Sequence, residues 1–176
     1  MAIEAEPFAP GLTAARVIAS HDGELEASGI AITLIDRSRN AALLADPRAF
    51  RRILEHLLSN AIRFNRRKAP RIKVRIMVDR EGRLSVAVRD TGIGIPPEAL
   101  ARVSEAFFQL RSGVARSHDG VGLGLTLARA LAEAHGATLT IDSTLGIGTT
   151  VTVTFPSSRT IRARRRRGKP SATVAA

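Results

Sequence analysis

A carboxylate and two glycines follow a stretch of alternating apolar residues, in the segment Asp90-Thr-Gly92-Ile-Gly94. An aspartate at a strand end can accept a hydrogen bond from an exocyclic amine, and glycines let a flat ligand approach the backbone closely. A carboxylate in this position favours adenine over guanine. Guanine would present a carbonyl oxygen to it, so that two hydrogen-bond acceptors would face each other. A turn with an aspartate cap and two flexible glycines is the alternative interpretation.

A second motif offers an amide and a cation on one helix face. His56, Asn60 and Arg63 have the spacing i, i+4, i+7, which places them on one side of a predicted helix. The Asn60 amide oxygen suits a hard cation such as Mg2+, and the Arg63 guanidinium suits a phosphate. The alternative is a solvated polar stripe on an amphipathic helix.

Two more glycine-rich segments flank predicted helices and strands. Gly120-Val-Gly122-Leu-Gly124 precedes a helix, whose first N–H groups lack intrahelical partners and attract phosphate together with the helix dipole. A glycine-rich hinge is the competing interpretation, and the spacing matches neither the dinucleotide fingerprint nor a Walker loop. Gly146-Ile-Gly148-Thr149, taken alone, is typical of a hairpin turn.

The elements that must position these motifs follow from hydrophobic patterning. Helices are predicted over residues 11–28, 46–65, 97–103 and 123–135, and strands over 30–35, 72–78, 84–90, 138–143 and 149–155. Asp46-Pro47 is a helix start, and Gly29 is expected to end the first helix. That helix has a broken apolar stripe, formed by Leu12, Ala15, Val17, Ile18 and Leu25.

Helices and strands do not alternate strictly along the chain. The pattern therefore predicts an α+β fold, a two-layer α/β sandwich whose mixed sheet is covered by helices on one face. A doubly wound parallel sheet is disfavoured. The long irregular stretch between the third and fourth helices is typical of a functional lid.

Composition restricts the classes of function. The chain has 176 residues, 44% of them apolar, and no cysteine, which excludes disulfides, thiolate nucleophiles and cysteine-bound zinc. Its formal charge is +11, but residues 157–176 hold 7 of the 27 basic residues and no acidic one. We expect this segment to be a disordered basic tail. The chain has six Phe and no Trp or Tyr, which leaves few aromatic side chains to stack on nucleic-acid bases. We therefore do not expect a nucleic-acid partner.

No run approaches the roughly 18 apolar residues of a membrane helix, and the N-terminus lacks the pattern of a signal peptide. We expect a cytoplasmic location. A domain from a parent protein anchored in the inner membrane would have the same sequence features.

In order and context, the four motifs resemble the boxes of the GHKL superfamily, in its histidine-kinase branch. Asn60 matches the N box, and Phe107-Phe108-Gln109 lies at the place of the F box. The three glycine boxes are matched by Asp90, Gly92 and Gly94, by Gly120, Gly122 and Gly124, and by Gly146, Gly148 and Thr149. The resemblance covers residues 9–156, with residues 1–8 as a lead-in from a dimerisation hairpin and 157–176 as the tail.

The resemblance implies a Bergerat-type ATP-binding fold with a mobile lid at about residues 95–121. Asp90 would bind the adenine amine, with Gly92 and Gly94 allowing close contact and Thr149 supporting the adenine side. Asn60 would ligate Mg2+, and Arg63 would face a phosphate. The remaining implied contacts are phosphate binding by Gly120, Gly122 and Gly124, lid anchoring by Phe107 and Phe108, and γ-phosphate contacts by Arg111, Arg116 and His118.

Two departures from the family pattern bear on the activity. Gyrase-like, mismatch-repair and heat-shock ATPases have a water-activating Glu four residues before the N-box Asn, where this chain has His56. A dedicated hydrolase is therefore disfavoured, although His56 also departs from the Asn common in histidine kinases. Ser104 and Ala106 replace the usual Phe and Pro of the F box, which puts the rigidity of the lid in doubt.

The implied partner is a dimerisation domain with a phosphoacceptor histidine, in the same parent chain or in trans, and through it a response regulator. No such hairpin is recognised in these residues, so we expect Mg-ATP binding with little phosphoryl transfer by this chain alone. The alternatives are a non-catalytic docking module of the same fold, an anti-sigma-type serine protein kinase, and a nucleic-acid binder acting through its basic tail.

Overall fold

A five-stranded mixed sheet forms one layer of the computed structural model, which describes residues 4–65, 68–100 and 123–162. Its strand order is β2-β4-β5-β7-β6, where only the β2–β4 pair is parallel. These strands are β2 (Ala31–Arg37), β4 (Arg71–Val78), β5 (Leu84–Asp90), β6 (Thr138–Thr144) and β7 (Gly148–Phe155). All five lie where the sequence predicts strands.

Helices pack on one face of this sheet and form the second layer. They are α1 (Pro10–Ala19), α2 (Asp22–Ala27), α3 (Pro47–Arg63), α4 (Pro97–Leu100) and α5 (Gly124–Ala134). Along β4, buried residues alternate with exposed ones, and the buried set joins the apolar stripes of α3 and α5 in one core. The predicted α+β two-layer sandwich is confirmed.

The position of α3 is set at its first turn. The Asp46 carboxylate accepts hydrogen bonds from the N–H groups of Arg48 and Ala49, at 2.8 and 3.2 Å. The Asp46 N–H donates to Nε2 of the buried His135, whose Nδ1 lies 2.7 Å from the carbonyl oxygen of Leu131. His135 thus joins the end of α5 to the start of α3, and the spacing of these two helices is fixed.

A small second sheet was not predicted from the sequence. Its strands are β1 (Glu6–Phe8), β3 (Ala42–Ala45) and β8 (Thr160–Ile161), in the order β1-β3-β8. Strands of two to four residues are too short to show alternation. The expected lead-in therefore contains a strand, and the first residues of the expected tail form a 3-10 turn (Ser157–Arg159) and β8.

The single helix predicted over residues 11–28 is wrong, because the chain breaks between α1 and α2. At the break, the Ser20 hydroxyl and His21 Nδ1 both contact the carbonyl oxygen of Val17, at 2.8 and 2.9 Å. Side chains that bond nearby carbonyl groups compete with helix continuation. The predicted stripe is also partly wrong, since Leu12 is 56% exposed and Ala14, not Ala15, is buried.

Most of the predicted lid, residues 101–121, lies outside the described residues, as do residues 163–176 of the expected tail. Within the described part of the chain, no helix has the length and apolar character needed to span a membrane.

Candidate functional site

The carboxylate of Asp90 lies at the end of β5, where it is 8% exposed. Its Oδ1 accepts hydrogen bonds from the N–H groups of Gly92, at 2.7 Å, and Thr149, at 3.3 Å. Burial raises the pKa of Asp90, although these two N–H groups act in the opposite direction. One carboxylate oxygen therefore ties the loop after β5 to the start of β7.

Three glycines around Asp90 allow backbones to approach closer than any side chain would permit. A Cβ at Gly92 would overlap the carbonyl oxygen of Phe64, and one at Gly148 would overlap that of Asp90. A Cβ at Gly94 would overlap the carbonyl oxygen of Thr144, and φ is +70° there. The first and third predicted glycine motifs are thus brought together by direct backbone contact.

Ser143, at the end of β6, supports this junction and was missed from the sequence. Its hydroxyl accepts a hydrogen bond from the Ile95 N–H at 2.8 Å and donates to the carbonyl oxygen of Gly148 at 3.0 Å. It also lies 2.8 Å from the hydroxyl of Thr149, its cross-strand partner. These two residues lie at the facing ends of the two predicted strands, 138–143 and 149–155, which was the available signal.

Asn65, also missed as a site residue, joins the end of α3 to the loop after β5. Its buried amide donates to the carbonyl oxygen of Arg71 at 3.0 Å and accepts from the Thr91 hydroxyl at 3.2 Å. The Ile93 N–H donates to the carbonyl oxygen of Phe64 at 3.1 Å. The last turn of α3, which begins at Asn60, is therefore held against the predicted first glycine box.

The structure also places the polar side of α3 against the start of α5. A Cβ at Gly124 would lie 3.4 Å from Nδ1 of His56. Burial lowers the pKa of His56, against the opposing effect of Glu55. Asn60 is half-buried one turn further along α3, and the Arg63 guanidinium lies 5.4 Å from the centre of the Phe64 ring.

The N-terminus of α5 differs from that of α3. Its N-cap position is Leu123, and no side chain caps it among the described residues, whereas Asp46 caps α3. An uncapped helix start presents N–H groups and positive dipole charge, which suits an anion. The described part of the second glycine motif, Gly124, is therefore located where a phosphate could bind beside His56.

Several predicted site residues cannot be placed, because they lie outside the described residues. They are Phe107, Phe108, Gln109, Arg111, Arg116, His118, Gly120 and Gly122. Direct contacts join Asp90, Gly92, Gly148 and Thr149, where β5 ends and β7 begins, and Gly94 contacts the end of β6. The last turn of α3, with Asn60 and Arg63, adjoins Gly92 through Phe64, and Gly124 lies beside His56.

The close approach at Gly92 yields a stability prediction. We expect Gly92→Ala to lower the free energy of unfolding by about 1–3 kcal/mol, because the added methyl group must displace the Phe64 carbonyl or the Asp90 carboxylate. Urea unfolding measures this loss. The matched control is Gly23→Ala, whose methyl group meets nothing within 4 Å and should be neutral or stabilising. Equal effects of the two substitutions would contradict the proposed packing.

Comparison with known proteins agrees with this geometry. A family model described as histidine kinase-, DNA gyrase B- and HSP90-like ATPase matches residues 45–159. Sensor histidine kinase RcsC of Escherichia coli (strain K12) is 42% identical over 82 residues, which are 47% of this chain and 8% of that protein. This chain thus spans only a small part of that relative.

Solved structures show the same relationship. Full-length ShkA in complex with AMPPNP has a TM-score of 0.79 and 28% identity, covering 93% of this chain and 32% of that one. Mycobacterial sensor histidine kinase MprB has a TM-score of 0.73 and 26% identity, covering 86% of this chain and 97% of that one. The resemblance drawn from the four motifs is confirmed. The chain belongs to the histidine kinase-, DNA gyrase B- and HSP90-like ATPase family, as an ATP-binding catalytic domain of the sensor histidine kinase branch.

Proposed function

We propose that this domain binds Mg-ATP through the residues described above and supplies the γ-phosphate to a histidine on a separate dimerisation domain. The observation that carries the proposal is the buried Asp90 carboxylate, held by the N–H groups of Gly92 and Thr149. From that histidine the phosphate would pass to a response regulator.

The base would be recognised at Asp90. Oδ1 already accepts two backbone N–H groups, so Oδ2 is the oxygen that remains to accept from the exocyclic amine of adenine. Gly92 and Gly148 let the neighbouring backbone pack closely around the carboxylate and so fix its position for the base. Thr149, with its hydroxyl held by Ser143, would complete the adenine side.

The metal would be held at Asn60. Its amide oxygen is a hard donor, and the described residues contain no group of three His, Asp or Glu side chains that could form a complete metal site. That donor set fits Mg2+, which protein sites commonly bind through one or two side chains together with the substrate phosphates. When bound, Mg2+ neutralises phosphate charge, and Arg63 and the start of α5 would add positive charge on the protein side.

Phosphoryl transfer depends on positioning and charge neutralisation more than on covalent chemistry by the protein. The described residues supply the donor side of this arrangement, whereas the accepting histidine would come from another domain. His56 occupies the position of the water-activating Glu of the hydrolases, so we infer that transfer to a protein, and not hydrolysis, is the reaction that this domain serves.

Asp90 gives the first test of nucleotide binding. We expect Asp90→Asn to weaken ATP binding about 100-fold, because an amide would set a donor against the adenine amine. Isothermal titration calorimetry with ATP and with GTP measures the two affinities. We expect GTP to bind only weakly to the parent chain. Asp142→Asn, which changes an exposed carboxylate on β6, is the matched control. Unchanged ATP affinity in Asp90→Asn would refute the site.

The same variant separates binding from folding. Because burial raises the Asp90 pKa, the folded chain holds this proton more tightly than the unfolded chain, and the ionised carboxylate lowers stability above that pKa. Asp90→Asn should therefore melt at or above the parent temperature near neutral pH. The difference in melting temperature between Asp90→Asn and the parent should narrow as the pH falls through the raised pKa, because the Asp90 carboxyl of the parent then becomes neutral too. A lower melting temperature would mean that weak binding reports damage to the fold.

Asn60 tests the metal assignment. We expect Asn60→Ala to reduce ATP affinity about tenfold in the presence of Mg2+ and to leave affinity in EDTA nearly unchanged, because only the metal-dependent contact is removed. Titrations with and without Mg2+ provide the measurement. Ser59→Ala, at a neighbouring exposed position of α3, is the control. If Asn60→Ala lost the same ATP affinity with Mg2+ as in EDTA, Asn60 would not be a ligand of the metal.

Transfer itself requires the second domain. We expect the chain alone to incorporate little label from γ-labelled ATP. Adding a separately expressed histidine-bearing hairpin domain of a sensor histidine kinase should give acid-labile phosphate on that hairpin. Asp90→Asn should abolish this signal. Acid-stable phosphate on a protein substrate would instead support the serine-kinase alternative, and a folded chain without ATP affinity would support the docking-module alternative.

A further inference from the structure

The sheet face opposite the helices bears a cluster of cations that the nucleotide site does not use. Side chains on this face alternate with the buried core residues along each strand. Among the described helices, α1, α2, α3 and α5 all contribute buried residues to the core on the other side of the sheet. We name this cluster the basic sheet face, and it consists of Arg37, Arg71, Lys73, Arg75 and Arg89.

Strand register brings these five cations together. Arg71, Lys73 and Arg75 succeed one another on one side of β4, about 7 Å apart. Arg89 of β5 is the direct cross-strand partner of Lys73, and Arg37 of β2 pairs with Met77 at the far end of β4. The cations therefore form an area about three strands wide and not an isolated pair.

Within residues 4–65, 68–100 and 123–162, no ion pair compensates the charge of this face. The ion pairs of the described residues involve Arg48, Arg51 and Arg83, and none involves a member of the basic sheet face. Asp142 is the single exposed carboxylate on this side of the described sheet, about 10 Å away, because β7 separates it from Arg89. The described residues include 14 of the 16 acidic residues of the chain, and Asp142 is the one of these 14 that the strand register places on this face.

The shape of the face suits a planar anionic surface. Most positions between and beside the cations hold short side chains, among them Thr33, Ser85, Ala87, Thr150 and Thr152, above which the long cationic side chains can extend. The apolar exceptions are Ile35, opposite Arg75, and Met77, opposite Arg37. The described strands place no aromatic side chain on this face to stack on a nucleic-acid base. A flat anionic layer can contact all five cations at once, whereas a cylindrical duplex would contact fewer.

We propose that the basic sheet face docks the domain on a membrane surface containing anionic phospholipid, with the nucleotide site turned away from the lipid. Clustered Lys and Arg residues bind such surfaces through the lipid phosphates, in a salt-dependent manner. Five more cations follow Arg162 in the sequence, outside the described residues, and the test separates their effect from that of the sheet: Arg164, Arg165, Arg166, Arg167 and Lys169.

The test is sedimentation of the full chain with vesicles of phosphatidylcholine containing about one third phosphatidylglycerol, compared with vesicles of phosphatidylcholine alone. We expect binding only to the anionic vesicles, with loss at high salt. The triple variant Arg71→Gln, Lys73→Gln, Arg75→Gln should bind about 100-fold more weakly, at roughly fivefold per cation. Arg16→Gln, Arg48→Gln, Arg51→Gln, with the same net charge, should bind like the parent.

Equal weakening by the two triple variants would overturn the proposal, because net charge alone would then account for binding. Unchanged binding of the sheet variant would also overturn it and assign the attraction to residues after Arg162. Face-dependent binding to duplex DNA, or to an acidic polypeptide, without binding to anionic vesicles would replace the lipid by that partner. ATP affinity, which should be equal in all three proteins, verifies that each is folded.

Discussion

The site depends on the close packing of three backbone segments at the end of β5. Glycine at positions 92, 94 and 148 lets the loop after β5 contact the end of α3, the end of β6 and the start of β7, where any Cβ would overlap a carbonyl group. Ser143 and Asn65 then fix these contacts with hydrogen bonds. The glycines are therefore structural requirements of the junction.

This junction also determines the electrostatics. It buries the Asp90 carboxylate in a position that costs folding free energy, and two N–H groups offset only part of that cost. A buried carboxylate that opposes folding is expected at a binding site, because its hydrogen bond to a ligand amine is stronger when water is excluded. At the start of α5 the N-cap residue is Leu123, whose side chain cannot compete with a phosphate for the first N–H groups of the helix.

Sequence patterns predicted the main sheet and most helices because those signals are local. Asp46-Pro47 marks the start of α3, and alternation marks β4 and β5. The small sheet was missed because its strands are two to four residues long, and the break before α2 arises from Ser20 and His21 contacts that leave the apolar pattern intact. Site motifs were found by their order along the chain. Ser143 and Asn65 were not found in this way. Some of their hydrogen-bond partners are distant in the sequence and others are backbone atoms, and a sequence motif records neither kind of contact.

We propose that these segments converge on an adenine nucleotide at Asp90. The most direct measurement is an amide-resonance titration of the isotopically labelled chain with ADP, and with GDP for comparison. The account predicts that ADP perturbs the N–H resonances of Gly92, Thr149 and Gly124 together, with one affinity, while Gly23 and Thr33 stay unchanged and GDP has little effect. Perturbations confined to other parts of the chain, or equal responses to both nucleotides, would contradict it.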